Sequence, residues 1–281
     1  MTVQGLRRRM RGAMHRLLLL PLGIAPAGLA AEALTRAWDE AEVRVSTRTK
    51  TLTFFAPTPI LRMRAASLLS KEPETIEWLD SLTTGDVLWD VGANVGLFSL
   101  YAAAERSCVV RAFEPSAANY AILARNVQIN DLEHRITAYA LALAGETCLG
   151  VLNLDSTAIG TAMNEFGRAG DKSRYSANTH PRGHGMIGFT IDEFVSRFSP
   201  PLPTHIKLDV DGLEWPILQG AIATLKSPQL QSIIVELSIT DRTERERSID
   251  LLKSCGLHLK SQGRPQGEPS EQGANHLFVR A

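Results

Sequence analysis

Three ionisable side chains alternate along one short apolar stretch, His205-Ile206-Lys207-Leu208-Asp209-Val210-Asp211-Gly212-Leu213-Glu214. Successive side chains of a strand point to opposite faces, so Ile206, Leu208 and Val210 share one face and Lys207, Asp209 and Asp211 the other. Two carboxylates and an ammonium at one strand tip are costly to bury unless they have partners or a task. A carboxylate so placed can orient a hydroxyl or take its proton, with the lysine as counter-ion. Gly212 then turns the chain into a helix whose first turn holds Glu214, where an acid meets the positive end of the helix dipole. Helix architecture thus explains Glu214 and Gly212, but Asp209 less well. Hard cations also seek carboxylates. Strand and helix positions aim Asp209, Asp211 and Glu214 in different directions, however, so no metal is expected.

The second chemical stretch is Val87-Leu88-Trp89-Asp90-Val91-Gly92-Ala93-Asn94-Val95-Gly96-Leu97-Phe98-Ser99. An apolar run ends on Asp90, two glycines four apart make a turn, and apolar residues resume at helical spacing. Glycine admits positive φ and close approach of a ligand, and the N–H groups of the following helix start favour polar or anionic groups. A nucleotide-like cofactor is therefore placed over Gly92–Gly96. The pattern is D-x-G-x-N-x-G, with Asn94 where a dinucleotide fold has its middle glycine. A second strand, Cys108–Phe113, ends on Glu114, about 20 residues beyond the glycines, where an acid can accept hydrogen bonds from ribose hydroxyls. A helix-capping acid is the plainer alternative for Glu114.

The elements that hold these tips alternate. A short hairpin is expected over residues 43–55, stopped by Pro57 and Pro59, and a helix over 74–79, with Pro73 in its first turn. Strands follow at 86–91, 108–113, 136–143, 204–209 and 232–237. Helices are expected at 96–105 (Leu97, Leu100, Tyr101 and Ala104 on one stripe), 116–130 capped by Ser116, 212–225 and 241–254. Residues 257–260 and 276–279 close the chain as an antiparallel pair, and 149–154 extends the sheet or forms a ribbon. Alternation of this kind predicts an α/β fold, a mostly parallel central sheet with helices on both faces and a terminal antiparallel strand. The cofactor then lies at the carboxyl ends of the strands, where Asp90, Glu114 and Asp209 meet. Three regions are expected: an extension over 1–42, a hairpin and helix over 43–85, and the cofactor domain over 86–281. The Gly-rich run 155–188 is read as an insertion or lid on the acceptor side, carrying His180 and His184, and 263–273 as an exposed hairpin loop.

Thirty basic and thirty acidic residues cancel, which gives no reason to expect nucleic acid as partner. Cys108, Cys148 and Cys255 are far apart, which speaks against zinc and disulfides and for a reducing, cytoplasmic compartment. Residues 1–16 carry five arginines and no acid, and 17–31 are uncharged but broken by Pro21, Gly23, Pro26 and Gly28. A secretory signal, a basic arm that touches the inner membrane face, and a plain helical extension all remain open. The stretch falls short of the roughly 20 apolar residues of a spanning helix.

Taken in order, D-V-G-A-N-V-G from Asp90, F-E-P from Phe113, L-x-x-N-x-x-x-N (Leu123, Asn126, Asn130), T-I-D-E-F from Thr190 and I-K-L-D-V-D-G-L-E-x-x-I-L-x-G-A from Ile206 resemble the FkbM-type methyltransferases, over roughly residues 70–240. The resemblance implies a Rossmann-like class I fold, S-adenosylmethionine as methyl donor, and O-methylation of a hydroxyl on a sugar, glycan or other small-molecule acceptor. It also implies that Asp90, Gly92 and Asn94 line the methionine end of the donor, that Gly96 lets the helix start pack closely, that Glu114 holds the ribose, and that Asp209 sits beside the methyl group with Asp211 and Lys207 near. A nicotinamide-dependent oxidoreductase and an inactive cofactor-binding module are the rival readings.

Overall fold

The computed structural model describes residues 27–168, 182–265 and 273–280, with side chains from residue 31 onward. The chain forms two units, residues 1–41 and 42–281. In the first, α1 (Ala27–Asp39) is the described element. The arginine-rich arm and most of the uncharged stretch lie outside the described residues. Among those described, no helix is long and apolar enough to cross a membrane.

The larger unit begins with the expected hairpin, β1 (Glu42–Ser46) and β2 (Thr51–Phe55), paired antiparallel. Pro59 does not merely stop it. It occupies the first turn of α2 (Pro59–Ala66), where its missing N–H costs nothing, and Thr58 caps that helix by accepting from Leu61 N. Next comes α3 (Pro73–Asp80), then the main sheet. Its first strands are β3 (Val87–Val91), β4 (Val109–Phe113) and β5 (Ile136–Tyr139), separated by α4 (Leu97–Arg106) and α5 (Ala117–Ile129). A four-stranded second sheet interrupts the alternation: β6 (Ala142–Leu143), β7 (Cys148–Asn153), β8 (Glu165–Arg168) and β9 (Gly183–Phe189), in the order β6-β9-β7-β8. After α6 (Ile191–Phe198) the main sheet resumes with β10 (His205–Leu208), α7 (Glu214–Gln219), α8 (Ile222–Lys226), β11 (Ser232–Ser238), α9 (Arg242–Ser254), β12 (Leu257–Gln262) and β13 (Gly273–Arg280).

Among the described residues the main sheet has seven strands in the order β12-β13-β11-β10-β3-β4-β5. β13 alone of these runs antiparallel to its neighbours. Trp89, Val91, Ile206, Leu208, Ile233 and Val235 project to one face, against α6, α7 and α9 through Phe194, Ile217 and Leu252. On the other face α3 and α4 pack: Trp78 Nε1 donates to Ser232 Oγ at 2.8 Å and Ser99 Oγ to Asp90 at 2.5 Å. Cover on both faces is what a parallel sheet requires.

Four expectations need correction. The strand read over 136–143 is two strands in two sheets, because the chain leaves β4 after Tyr139 and Ala142–Leu143 pairs with Gly188–Phe189 instead. The run 155–188 is not a plain lid: β8 lies within it and β9 begins in it, while 169–181, with His180, lie outside the described residues. The helix read over 212–225 is broken, because Asp192 accepts from Ala223 N and Thr224 N at 2.7 and 2.8 Å and so starts a new helix there. Gly273, read as part of an exposed loop, is a buried strand residue.

Candidate active site

Asp90 ends the apolar run of β3 and is 1% exposed. Parallel register sets it beside Lys207 of β10, itself 2% exposed. Two residues further along, past the Val91–Leu208 and Val91–Phe113 pairs, Gly92 follows beside Asp209 and Glu114. Gly92 has φ +85°, and a Cβ there would lie 1.9 Å from the Asp209 carbonyl oxygen. No other residue type fits this contact of two backbones. Its N–H, and that of Ala93, donate to Phe113 O at 3.0 Å. The turn ends at Gly96, φ +88°, where a Cβ would strike Leu123 and Leu100. This close approach of α4 to α5 is the one expected of Gly96.

Glu114 closes the other side of the loop. Its Oε2 accepts from Asn94 N and its Oε1 from Ser116 N, each at 2.8 Å. Ser116 stands at the N-cap of α5, but its side chain makes no capping bond; its N–H serves Glu114. Burial pushes the Glu114 carboxyl up to about 7, against the pull of those donors. Burial likewise raises Asp90, with Lys207 and Ser99 opposing. Asp90 and Glu114 thus flank a single loop, and neither reaches a separate surface.

Lys207 Nζ lies 2.7 Å from Asp209 Oδ2 and 5.0 Å from the centre of the Phe98 ring. Burial favours the neutral amine, but the charges of Asp209, Glu72 and Asp90 outweigh it and hold the ammonium protonated beyond the ordinary lysine range. Burial would raise Asp209; the lysine reverses this and holds it well below the usual carboxylate range. The Asp209 side chain is 22% exposed and that of Lys207 3%. Of this pair, then, the carboxylate is the group that a second substrate can reach.

Asp211 departs from the alternation. β10 ends at Leu208, and Asp211 has φ +61° in the turn that follows. Its Oδ2 accepts from Met163 N at 2.6 Å. Glu214 is buried, and accepts from Val210 N and Gly212 N at 3.0 Å. Both acids hold backbone N–H groups, and Asp211 also acts on Glu114 and on Arg64. Among the described residues no group of three His, Cys, Asp or Glu converges as a metal site would.

Sequence reasoning missed how the first part of the insertion is pinned over the loop. Thr161 O accepts from Asn94 Nδ2 at 3.1 Å and from Asn119 Nδ2 at 3.0 Å, and Gly160 N donates to Asn119 Oδ1 at 2.8 Å. Arg64 of α2 donates to Gly160 O. Burial lowers the Arg64 guanidinium, while Asp211, Asp209, Glu114 and Glu72 act against it. A polar side chain facing the core stripe of α5 marks Asn119; Arg64 left no periodic signal. The motif asparagines Asn126 and Asn130 brace the hairpin: Asn126 Oδ1 takes Phe55 N and Asn130 Oδ1 takes Thr53 N, while Asn126 Nδ2 donates to Val95 O in the glycine loop. His184 Nε2 lies 3.4 Å from Pro115 O, outside the carboxylate row.

The family model described as the methyltransferase FkbM domain matches residues 90–259, more than half of the chain. The chain belongs to the FkbM methyltransferase family. Its donor is S-adenosylmethionine, and the strand order found here is that of the class I methyltransferase sheet. A curated relative is the methyltransferase sdnD of Sordaria araneosa, 26% identical over 164 residues, a match covering 50% of this chain and 62% of that protein. Similar solved structures include the tRNA m1G37 methyltransferase of M. jannaschii (12% identity, 85% of this chain and 55% of that one, TM-score 0.47). Another is M. jannaschii TYW2 in complex with AdoMet (12% identity, 86% and 88%, TM-score 0.45). The chemistry of the loop fits the donor. Asp90 Oδ1 and Asn94 Oδ1 are buried acceptors with no hydrogen-bond partner among the described residues, which suits a ligand bringing N–H donors. The absent side chain at Gly92 lets the loop close against the Asp209 backbone, which brings the two strand tips together.

Proposed function

We propose that this protein transfers a methyl group from S-adenosylmethionine to a hydroxyl oxygen of a sugar, glycan or other small-molecule acceptor. The observation that carries this reading is the Lys207–Asp209 pair at the carboxyl end of β10, beside the glycine loop and open to solvent on the Asp209 side. When bound, the donor supplies an activated methyl group on a sulfonium, so the hard chemistry is its own. The chain's part is orientation and one proton. Glu114 would receive the ribose hydroxyls, in competition with the donors it already holds, Asn94 N, Ser116 N and the Asn119 side chain. Asn94 Oδ1 and Asp90 Oδ1 face the donor's amine end. Asp209 would accept a hydrogen bond from the acceptor hydroxyl and take its proton as the methyl carbon leaves the sulfonium sulfur, which would depart as a neutral thioether. Lys207 keeps Asp209 ionised. Asp211 shapes the insertion through Met163, and the insertion with the second sheet selects the acceptor. Regions 1–42, 43–85 and 86–281 serve as extension, brace and catalytic domain in this reading.

The test is a mass shift of one methylene on a glycan or metabolite from the host when the protein and S-adenosylmethionine are added, and none when the donor is left out. The donor half is tested separately by calorimetry. Asp90→Ala and Glu114→Ala are each expected to weaken S-adenosylmethionine binding without unfolding the domain; wild-type affinity in both refutes the placement. A pH dependence follows from Glu114. Its folded value, about 7, lies above that of an exposed glutamate, so the ligand-free protein holds the proton and the ribose must bind the ionised form. Donor affinity should rise with pH through about 7, and Glu114→Gln should flatten that rise.

A further inference from the structure

The polar row does not end at Asp209. β10 and β11 run parallel with Leu208 beside Val235, so the next pair is Asp209 beside Glu236. Glu236 is in turn registered with Asn275 of β13. The β10–β11 register sets the Asp209 and Glu236 side chains next to each other on one face of the sheet, where the charge of each acts on the other. Two ionised carboxylates are acceptors only, so such a contact needs one proton between them. Lys207 decides where it resides. Its ammonium touches Asp209 Oδ2, which keeps Asp209 ionised and leaves the proton on Glu236.

The surroundings agree. From β10, Glu236 faces Asp209 and Lys207, and from α7 it faces Glu214. From β13 it meets backbone: a Cβ on Gly273 would fall 2.6 Å from Glu236 Oε1. Next to Gly273 on that strand, the neutral Asn275 donates to Glu72 and Glu74, each at 3.2 Å. Lys207 is a cation facing Glu236, and its Nζ is on Asp209, on which Lys71 acts as well. The charge of Asp209 and then burial accordingly hold the Glu236 carboxyl well above the usual carboxylate range.

We propose that Glu236 is a positioning residue that stays protonated, donates a hydrogen bond to Asp209, and so turns the remaining lone pairs of that carboxylate toward the acceptor hydroxyl. This deepens the reading of Asp209 given above and rests on it. It also makes Asp209 a weak base that orients first and accepts the proton late. Glutamine can donate the same hydrogen bond with no proton to lose; leucine cannot.

Infrared titration of the full chain tests the protonation without any acceptor. About one pH unit above 7, where Glu114 and Glu214 have ionised, the wild type should still show the carbonyl stretch of a protonated carboxylic acid. Glu236→Gln should lose that band. Asp209→Asn, which keeps Glu236 but removes the charge that holds its proton, should move the band's midpoint to lower pH. Burial also raises Asp90, whose share of the band is common to both proteins and cancels. A wild type without the band, or no carbonyl component in the difference between wild type and Glu236→Gln, overturns the proposal even if one variant fails to fold. With an acceptor identified by the mass shift, Glu236→Gln should keep kcat and lose its fall at alkaline pH. Glu236→Leu should bind S-adenosylmethionine as the wild type does and lose at least tenfold in kcat. Wild-type kcat in Glu236→Leu overturns the positioning role. Failure of the wild type itself to methylate any acceptor would instead refute the methyl-transfer reading, while the infrared result still decides where the proton sits.

Discussion

Lys207→Met is expected to destabilise the protein by about 3–5 kcal/mol, the usual cost of leaving a buried charge without its partner. Methionine nearly preserves the volume, so little of the loss would come from a cavity. What is lost is a buried cation facing Asp209, Glu72 and Asp90, two of which are nearly inaccessible to water. Lys71, 3.0 Å from Glu72, remains but cannot reach Asp90's side of the row from its exposed position. Urea unfolding at neutral pH measures the difference. Its pH dependence gives a second check. In the wild type the lysine holds Asp209 below its unfolded value. That contribution is complete above the unfolded carboxylate range and is lost as pH falls through the folded value. In the variant the same carboxylates are raised, so the folded state takes up protons and gains stability as pH falls toward the unfolded carboxylate range. The gap between the two proteins should therefore narrow in acid. A variant within about 1 kcal/mol of the wild type at neutral pH, the scale of a surface ion pair, would mean that the pair is solvated and that the buried row has been misread.

The glycine loop and the strand tips were legible because their constraints are local. Positive φ at Gly92 and Gly96 demands glycine whatever surrounds them. Apolar runs that stop on Asp90, Glu114 and Asp209 carry their period in a few adjacent residues. The second sheet was not legible. β8 is short, both β8 and β9 contain glycine, and they owe their extended form to pairing with β7, a tertiary contact that no window of sequence contains. Helix α2 was missed for a related reason. It buries only Leu61 and Ala65, too sparse a stripe to reveal a helix, and Pro59 read as a stop when it was a start. Asp211 was read as a strand residue because alternation was carried past Leu208, where the ladder ends. The cross-strand partners Glu236 and Asn275 were invisible for the same reason as the sheet order: register, not spacing along the chain, brings them to Asp209.

Asp209→Asn should lower methyl transfer by about 10²–10⁴-fold, the range associated with a positioned general base, while S-adenosylmethionine affinity changes by no more than a few-fold. The two halves separate because Asp209 is already paired. Its charge is largely answered by Lys207 at 2.7 Å, so removing it alters the field at the glycine loop less than removing Asp90 or Glu114 would. The amide keeps the shape and can still accept from Lys207, so the fold should survive. What it cannot do is take a proton. Asp211→Asn provides the contrast. Its Oδ2 is occupied by Met163 N at 2.6 Å, and an amide oxygen can accept that bond, so its effect on kcat should stay within a few-fold. Parallel single-turnover measurements on one acceptor, with donor binding followed by calorimetry, would read both. If Asp209→Asn transferred methyl at the wild-type rate, the acceptor's proton would leave by another path. The strand tip would then be a scaffold for the donor loop. If Asp211→Asn showed the larger loss, the hold of the insertion over the loop would outrank proton transfer in setting the rate.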